Sequence, residues 1–211
     1  MEKLITDAVN TLAARYDLSR IPGQNVSKLV VKAELTCRKA ELFTLSVLEV
    51  RAAIAGVKGE VLVLTPVLKD APAALCGYMH APGHDSIHLD ALDDLVGRGQ
   101  DLSYLEEAKK VRGGLAEQVS SLNWYEDKKL PCSVCVHAGA EDPYARVLFA
   151  SWLNAWCTVL ESAPVCDPDK KREKTAELVN AVSRENASLK TVYTFLSKEH
   201  VDKLIRCAFL P

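Results

Sequence analysis

Residues 27–50 read SKLVVKAELTCRKAELFTLSVLEV, and the choice between one helix and extended chain here decides the fold. Leu29, Val30, Val31, Leu35, Leu42, Phe43, Leu45, Val47 and Leu48 leave few polar gaps, and Ser27 is a candidate helix N-cap. A helix that is apolar on nearly every side must be surrounded by protein. On this reading the segment is a central helix, placed in the core or in a contact between subunits.

The flanking sequence extends the helical reading. Leu4, Ile5, Ala8, Val9, Leu12, Ala13 and Tyr16 recur at the spacing of a helix with one buried stripe over 2–16, and Pro22 and Gly23 then break the chain. Over 50–68, VRAAIAGVKGEVLVLTPVL places Lys58 and Gly59 between two apolar runs, with Val61, Val63 and Thr65 of strand-forming type. This predicts a small β-hairpin or extended element. Ser86 caps a helix over 87–96 that Gly97 stops, and Ser103 with Glu106 forms a capping box for the next. Another helical stretch covers 115–122. Asp142-Pro143 and Asp167-Pro168 are two strong helix starts, and short helices over 188–196 and 198–207 close the chain. The expected fold is mainly α: a single compact domain, 1–211, of eight or nine helices with one β element near 50–68. A seam inside it would fall near 97–101 or 126–131.

With 48% apolar residues in 211, the chain can bury a substantial core. No apolar run approaches the roughly 18 to 20 residues of a membrane span, and MEKLITDAVNTLAARY lacks the features of a signal peptide. These points predict a soluble protein with no membrane partner, held in the cytoplasm or another reducing compartment. Seven cysteines at irregular spacing fit that compartment better than a disulfide framework. Charge is unevenly spread: residues 61–108 carry two basic and eight acidic side chains, net −6, between flanks of +2 each. Such polarity could register one copy against another, giving a homo-oligomer or larger complex.

CGYMHAPGHDSIHLD, residues 76–90, gathers three of the five histidines, and LPCSVCVHAG supplies Cys132, Cys135 and His137. Two thiolates in a Cys-x-x-Cys pair can bite a zinc ion, but the sequence offers no second pair. Joined together, Ile87-His88-Leu89-Asp90 and Pro131-Cys132-Ser133-Val134-Cys135 resemble the two motifs of zinc deaminases. That resemblance implies His88, Cys132 and Cys135 as zinc ligands, His80, His84 and His137 as alternates, and Asp90 in place of the proton-shuttling glutamate. Asp90 is one methylene shorter, which draws its carboxylate back from a zinc-bound water. The adjacent pair His84-Asp85 also resembles the doublet of helical metal-dependent phosphohydrolases, although it follows Pro-Gly here.

Lys28, Lys32, Arg38 and Lys39 form a basic cluster on the supposed central helix, a candidate RNA contact. Trp152 and Trp156, four apart on one helix, are core residues or, if exposed, interface anchors. No phosphate loop, nucleophile elbow or complete catalytic set is present. The sequence therefore favours a non-enzymatic, cofactor-free, self-associating scaffold subunit, of the kind found in viral or organellar ribonucleoprotein assemblies. A divergent zinc-dependent deaminase is the alternative.

Overall fold

The computed structural model describes residues 3–27, 31–52, 56–118, 125–183 and 196–211. The expectation of a mainly helical domain is wrong: the centre of the molecule is a seven-stranded antiparallel sheet. Helix α1 (Lys3–Arg15) leads into β1 (Ser19–Ser27), β2 (Val31–Lys39), β3 (Phe43–Ala52), β4 (Val57–Pro66), β5 (Ala73–Ala81) and β6 (His84–Leu92). After α2 (Ser103–Lys110) and a short 3-10 turn, β7 (Val134–His137) completes the sheet, and α3 (Pro143–Ser162), α4 (Pro168–Val182) and α5 (Lys198–Phe209) follow. Each strand pairs with its neighbours in chain order, so the sheet is a simple meander.

The stretch 27–50 falls mostly in β2 and β3 rather than in one helix. Along β2, Val31, Ala33, Leu35 and Cys37 are buried while Lys32, Glu34 and Thr36 are exposed, an alternation with the period of a strand. β3 blurs this signal because it is central: Phe43, Leu45 and Val47 enter one core, the small polar Thr44 and Ser46 are buried on the other face, and no position from 43 to 47 is exposed. The basic cluster falls apart for the same reason. Lys32 and Arg38 share a face of β2, Lys39 points to the other, and Lys28 lies outside the described residues.

Other boundaries move on similar grounds. Pro22 and Gly23 sit in a bulge of edge strand β1, not between elements; a Cβ on Gly23 would lie 2.1 Å from the Leu35 carbonyl oxygen, so only glycine fits. The expected hairpin exists as β3–β4, but Lys58 and Gly59 lie inside β4, and the turn falls just before them. In place of the helix expected over 87–96, residues up to Leu92 belong to β6 and 93–96 to neither helix nor strand; the strand is entered through a Pro82-Gly83 turn in which Gly83 has φ of 77°. No helix is found over 115–118, and the rest of that expected helix, like residues 188–195 of the one expected over 188–196, lies outside the described residues. Asp142 and Asp167 cap α3 and α4 as expected, each accepting two backbone N–H bonds. At α2 the expected capping box does not form: the N-cap is Leu102, with no side-chain cap bond, and Asp101 Oδ1 accepts from the Ser103 amide at 3.0 Å just ahead of the helix.

Helices cover both faces of the sheet. α1 and α3, with α2 beside them, pack on Leu45, Val47, Leu62, Leu64, Cys76 and Ile87. α4 and α5 pack on Val31, Ala33, Leu35, Cys37, Val63, Ala73 and Leu92 of the opposite face. Trp152 and Trp156 are fully buried in the first core and donate to the Cys132 and Pro72 carbonyls at 3.1 and 2.9 Å. They are packing residues, not interface anchors. Among the described residues no helix is long and apolar enough to cross a membrane.

Candidate functional site

Strand alternation puts Ser86, His88, Asp90 and Leu92 of β6 on the face packed by α4 and α5. The register lays a patch beside them: Gly77 of β5 lies across from His88, Leu75 from Asp90, and Val61 of β4 lies across from Gly77. Further out, Leu48 pairs with Val61 and Val50 with Gly59. Leu48, Val50, Gly59, Val61 and Leu75 are only half-buried, because the helices close over the other end of this face. A Cβ at Gly59 would meet nothing within 4 Å, and one at Gly77 would approach only to 3.4 Å of Val61. The result is a shallow apolar floor, open above Gly59 and bordered by the Val61 and Leu75 side chains over the buried Gly77, with a polar wall along β6.

Asp90 is fully buried in that wall. Its Oδ2 accepts from Tyr125 Oη at 3.0 Å, and its Oδ1 lies 3.1 Å from Lys129 Nζ. Burial raises its pKa above the usual carboxylate value, against the opposing pull of Lys129 and Tyr125. His88 Nε2 bonds Ser86 Oγ at 3.0 Å and touches Cys135 Sγ at 3.7 Å. Its buried Nδ1 has no hydrogen-bond partner among the described residues. Burial, with repulsion from Lys129 and His84, pushes the imidazole pKa down to about 4, so the ring is neutral at neutral pH. A buried, unpaired ring nitrogen beside a buried acid is costly as scaffold and useful as a ligand contact.

The structure brings together only part of the set read from the sequence. His88, Asp90 and Cys135 meet, but Cys132 packs into the core on the other side of the sheet. Both thiols are pushed up to about 11 by burial and stay protonated. His80 leaves the opposite face of β5 to bond Asp85 at 2.6 Å, while His84 and His137 stack against each other at 4.9 Å near the end of β6. Among the described residues no group of three or more His, Cys, Asp or Glu is placed to hold a metal ion. The His84-Asp85 doublet, in a strand, points its two side chains to opposite faces. Sequence reasoning missed Tyr125, Lys129 and the glycine floor; none belongs to a motif, the floor follows from strand register, and Tyr125 and Lys129 from a turn that returns to the end of β6.

Beside β7, at the edge of the sheet, a cavity of about 300 Å³ includes Asp90 in its lining. Lys109, Glu117, Gln118, Glu126 and Lys129 line it.

No protein-family model matches the chain, and no curated protein does. Among solved structures, the crystal structure of phytochromobilin synthase from tomato, in complex with biliverdin, superposes with a TM-score of 0.72 at 14% identity, over 96% of this chain and 80% of that one. The expected scaffold subunit is overturned with the helix that motivated it: the apolar run belongs to a central strand between two cores, and the fold is shared with a synthase that holds a small ligand. At this identity the likeness establishes the fold: the chain has the architecture of phytochromobilin synthase.

Proposed function

We propose that this protein binds a linear tetrapyrrole of the biliverdin kind on the half-covered face of its sheet and acts on it as an enzyme, with Asp90 as proton donor. The observation that carries this reading is the pair His88 and Asp90, a neutral imidazole with a bare ring nitrogen beside a buried acid, set along an apolar floor. A bilin has flat apolar faces and a rim of pyrrole N–H and lactam groups that need hydrogen-bond partners. Leu48, Val50, Val61 and Leu75 suit the face, Gly59 leaves room for close approach, and His88 and Asp90 suit the rim. That phytochromobilin synthase from tomato holds biliverdin in this fold supports the choice of ligand.

The chemistry follows from the environment of the acid. A carboxyl whose pKa is raised by burial keeps its proton at a pH where a solvated one has lost it, which suits a general acid. Neutral His88 can orient the ligand without competing for that proton. Asp90 supplies a proton to the bound bilin.

The test is an absorption titration of the purified chain with biliverdin. A saturable shift of the visible band is expected, with Asp90→Asn retaining binding but losing the protonated-bilin spectrum. An unchanged biliverdin spectrum at about 100 μM protein, a concentration that would reveal even a weak complex, sinks the reading.

A further inference from the structure

A buried acid that gives its proton to a bound ligand must be recharged, and the ligand itself covers the face through which it acted. The edge cavity beside β7 offers another way in. Lys129 Nζ lies 3.1 Å from Asp90 Oδ1 and 3.2 Å from Glu126 Oε2, so it bridges the two carboxylates. Exposure is graded along this line: the Glu126 side chain is 59% exposed, that of Lys129 9%, and that of Asp90 1%. The other charged groups of the cavity, Lys109 and Glu117, pair with each other at 3.2 Å.

We infer that Glu126 and Lys129 form a solvent-side proton route that recharges Asp90 through the edge cavity while the bilin occupies the sheet face. This rests on the bilin reading above for the role of Asp90. After Asp90 has protonated the ligand, a proton moves from Lys129 Nζ to Asp90 Oδ1, leaving a neutral amine. The amine then takes a proton from water in the cavity, which is polar and large enough to hold it, while the Glu126 carboxylate holds the recharged ammonium at the solvent side. The net change is the transfer of one proton from solvent to Asp90.

The neighbouring groups leave this route to Lys129. Tyr125 is bound to the other carboxylate oxygen, and burial holds its phenol well above the usual range, so it stays protonated throughout. The Cys135 thiol, pushed up to about 11, does the same. His88 contacts Ser86 and Cys135, and the cavity lining does not include it.

The experiment is a stopped-flow pH jump on the full chain saturated with biliverdin, reading protonation of the bound chromophore by absorbance. Lys129→Arg is the decisive variant, because arginine keeps the positive charge and the ion pair but does not release a proton. It should bind biliverdin as the wild type does and slow the protonation phase at least tenfold, with Lys129→Ala restored in part by added methylammonium and Glu126→Gln slowed less. A Lys129→Arg complex that protonates at the wild-type rate overturns the route and leaves the bilin reading standing. Absence of any biliverdin spectral shift in the wild type removes both.

Discussion

Asp90 and Asp94 lie four residues apart, one inside β6 and one just past its end, and both are fully buried with pKa values raised first by burial. They differ in what surrounds them. Asp94 is saturated: Lys171 Nζ at 2.8 Å and the Ala73 amide at 2.9 Å reach Oδ1, and Thr175 Oγ1 reaches Oδ2 at 2.9 Å. Lys171 is itself sealed, donating also to the carbonyls of Ala71 and Asp94. Asp90 has one hydroxyl and one lysine, and that lysine is shared with a solvent-facing glutamate beside a cavity. A complete network fixes α4 to the sheet, whereas an incomplete one in contact with solvent retains the freedom to exchange a proton.

The sharpest way to break this comparison is at the saturated end. Lys171→Met leaves Asp94 buried without its cation and should cost about 3 to 5 kcal/mol by chemical denaturation. The double variant Lys171→Met with Asp94→Leu should recover much of that loss, since the cost lies in the stranded charge. At the other end Asp90→Asn should leave stability unchanged or higher at neutral pH, because a carboxyl with a raised folded-state pKa favours folding only when protonated. Turnover or bilin protonation should nonetheless fall about 100-fold or more, the contribution of a general acid. Equal stability losses in both variants would mean that the two aspartates are alike and would remove Asp90 from the site.

Much of the helical framework was legible, because its signals are local. The Asp-Pro starts of α3 and α4 carry their own caps, and α1 shows a clean buried stripe. The sheet was not legible, because its central strands are buried on both faces, and a buried strand cannot be told from a buried helix by periodicity alone. The alternating charges of β2 were the available clue, and the Pro82-Gly83 turn was the second. At the site, the sequence points to His88 and Asp90 through a metal motif, whereas their neighbours come from strand pairing with β5 and β7 and from the turn carrying Tyr125 and Lys129, which a motif does not encode.

The pH dependence separates the two regions further. The pKa of His88, about 4 when folded, lies below its unfolded value of about 6.5, so the unfolded chain binds a proton first as pH falls. Its contribution should therefore be fully present above about pH 6.5 and be lost progressively towards about pH 4. The raised values of the two aspartates act with the opposite sign, favouring the folded state at low pH. Comparing wild type with His88→Gln by urea denaturation from pH 7 to pH 4 isolates the histidine. The wild-type advantage should shrink by about 1 to 2 kcal/mol across that window, after allowance for its partial exposure. A constant difference would show that His88 titrates normally and is not held neutral.

The smallest change in stability, and the most selective probe of the floor, is Gly77→Val. Valine suits a strand, and the added Cβ meets Val61 Cγ2 at 3.4 Å, a contact that a small side-chain shift relieves. Stability should therefore change by about 1 kcal/mol or less. The Asp94 network is anchored to Ala73, four residues back along β5, and should not register the substitution. Biliverdin affinity should drop about tenfold, because the new methyl groups rise from the floor directly across from His88, where the ligand must approach the backbone. If affinity is unchanged while the protein stays folded, the ligand does not lie over Gly77, and the polar wall of β6 must then be approached from the cavity side alone.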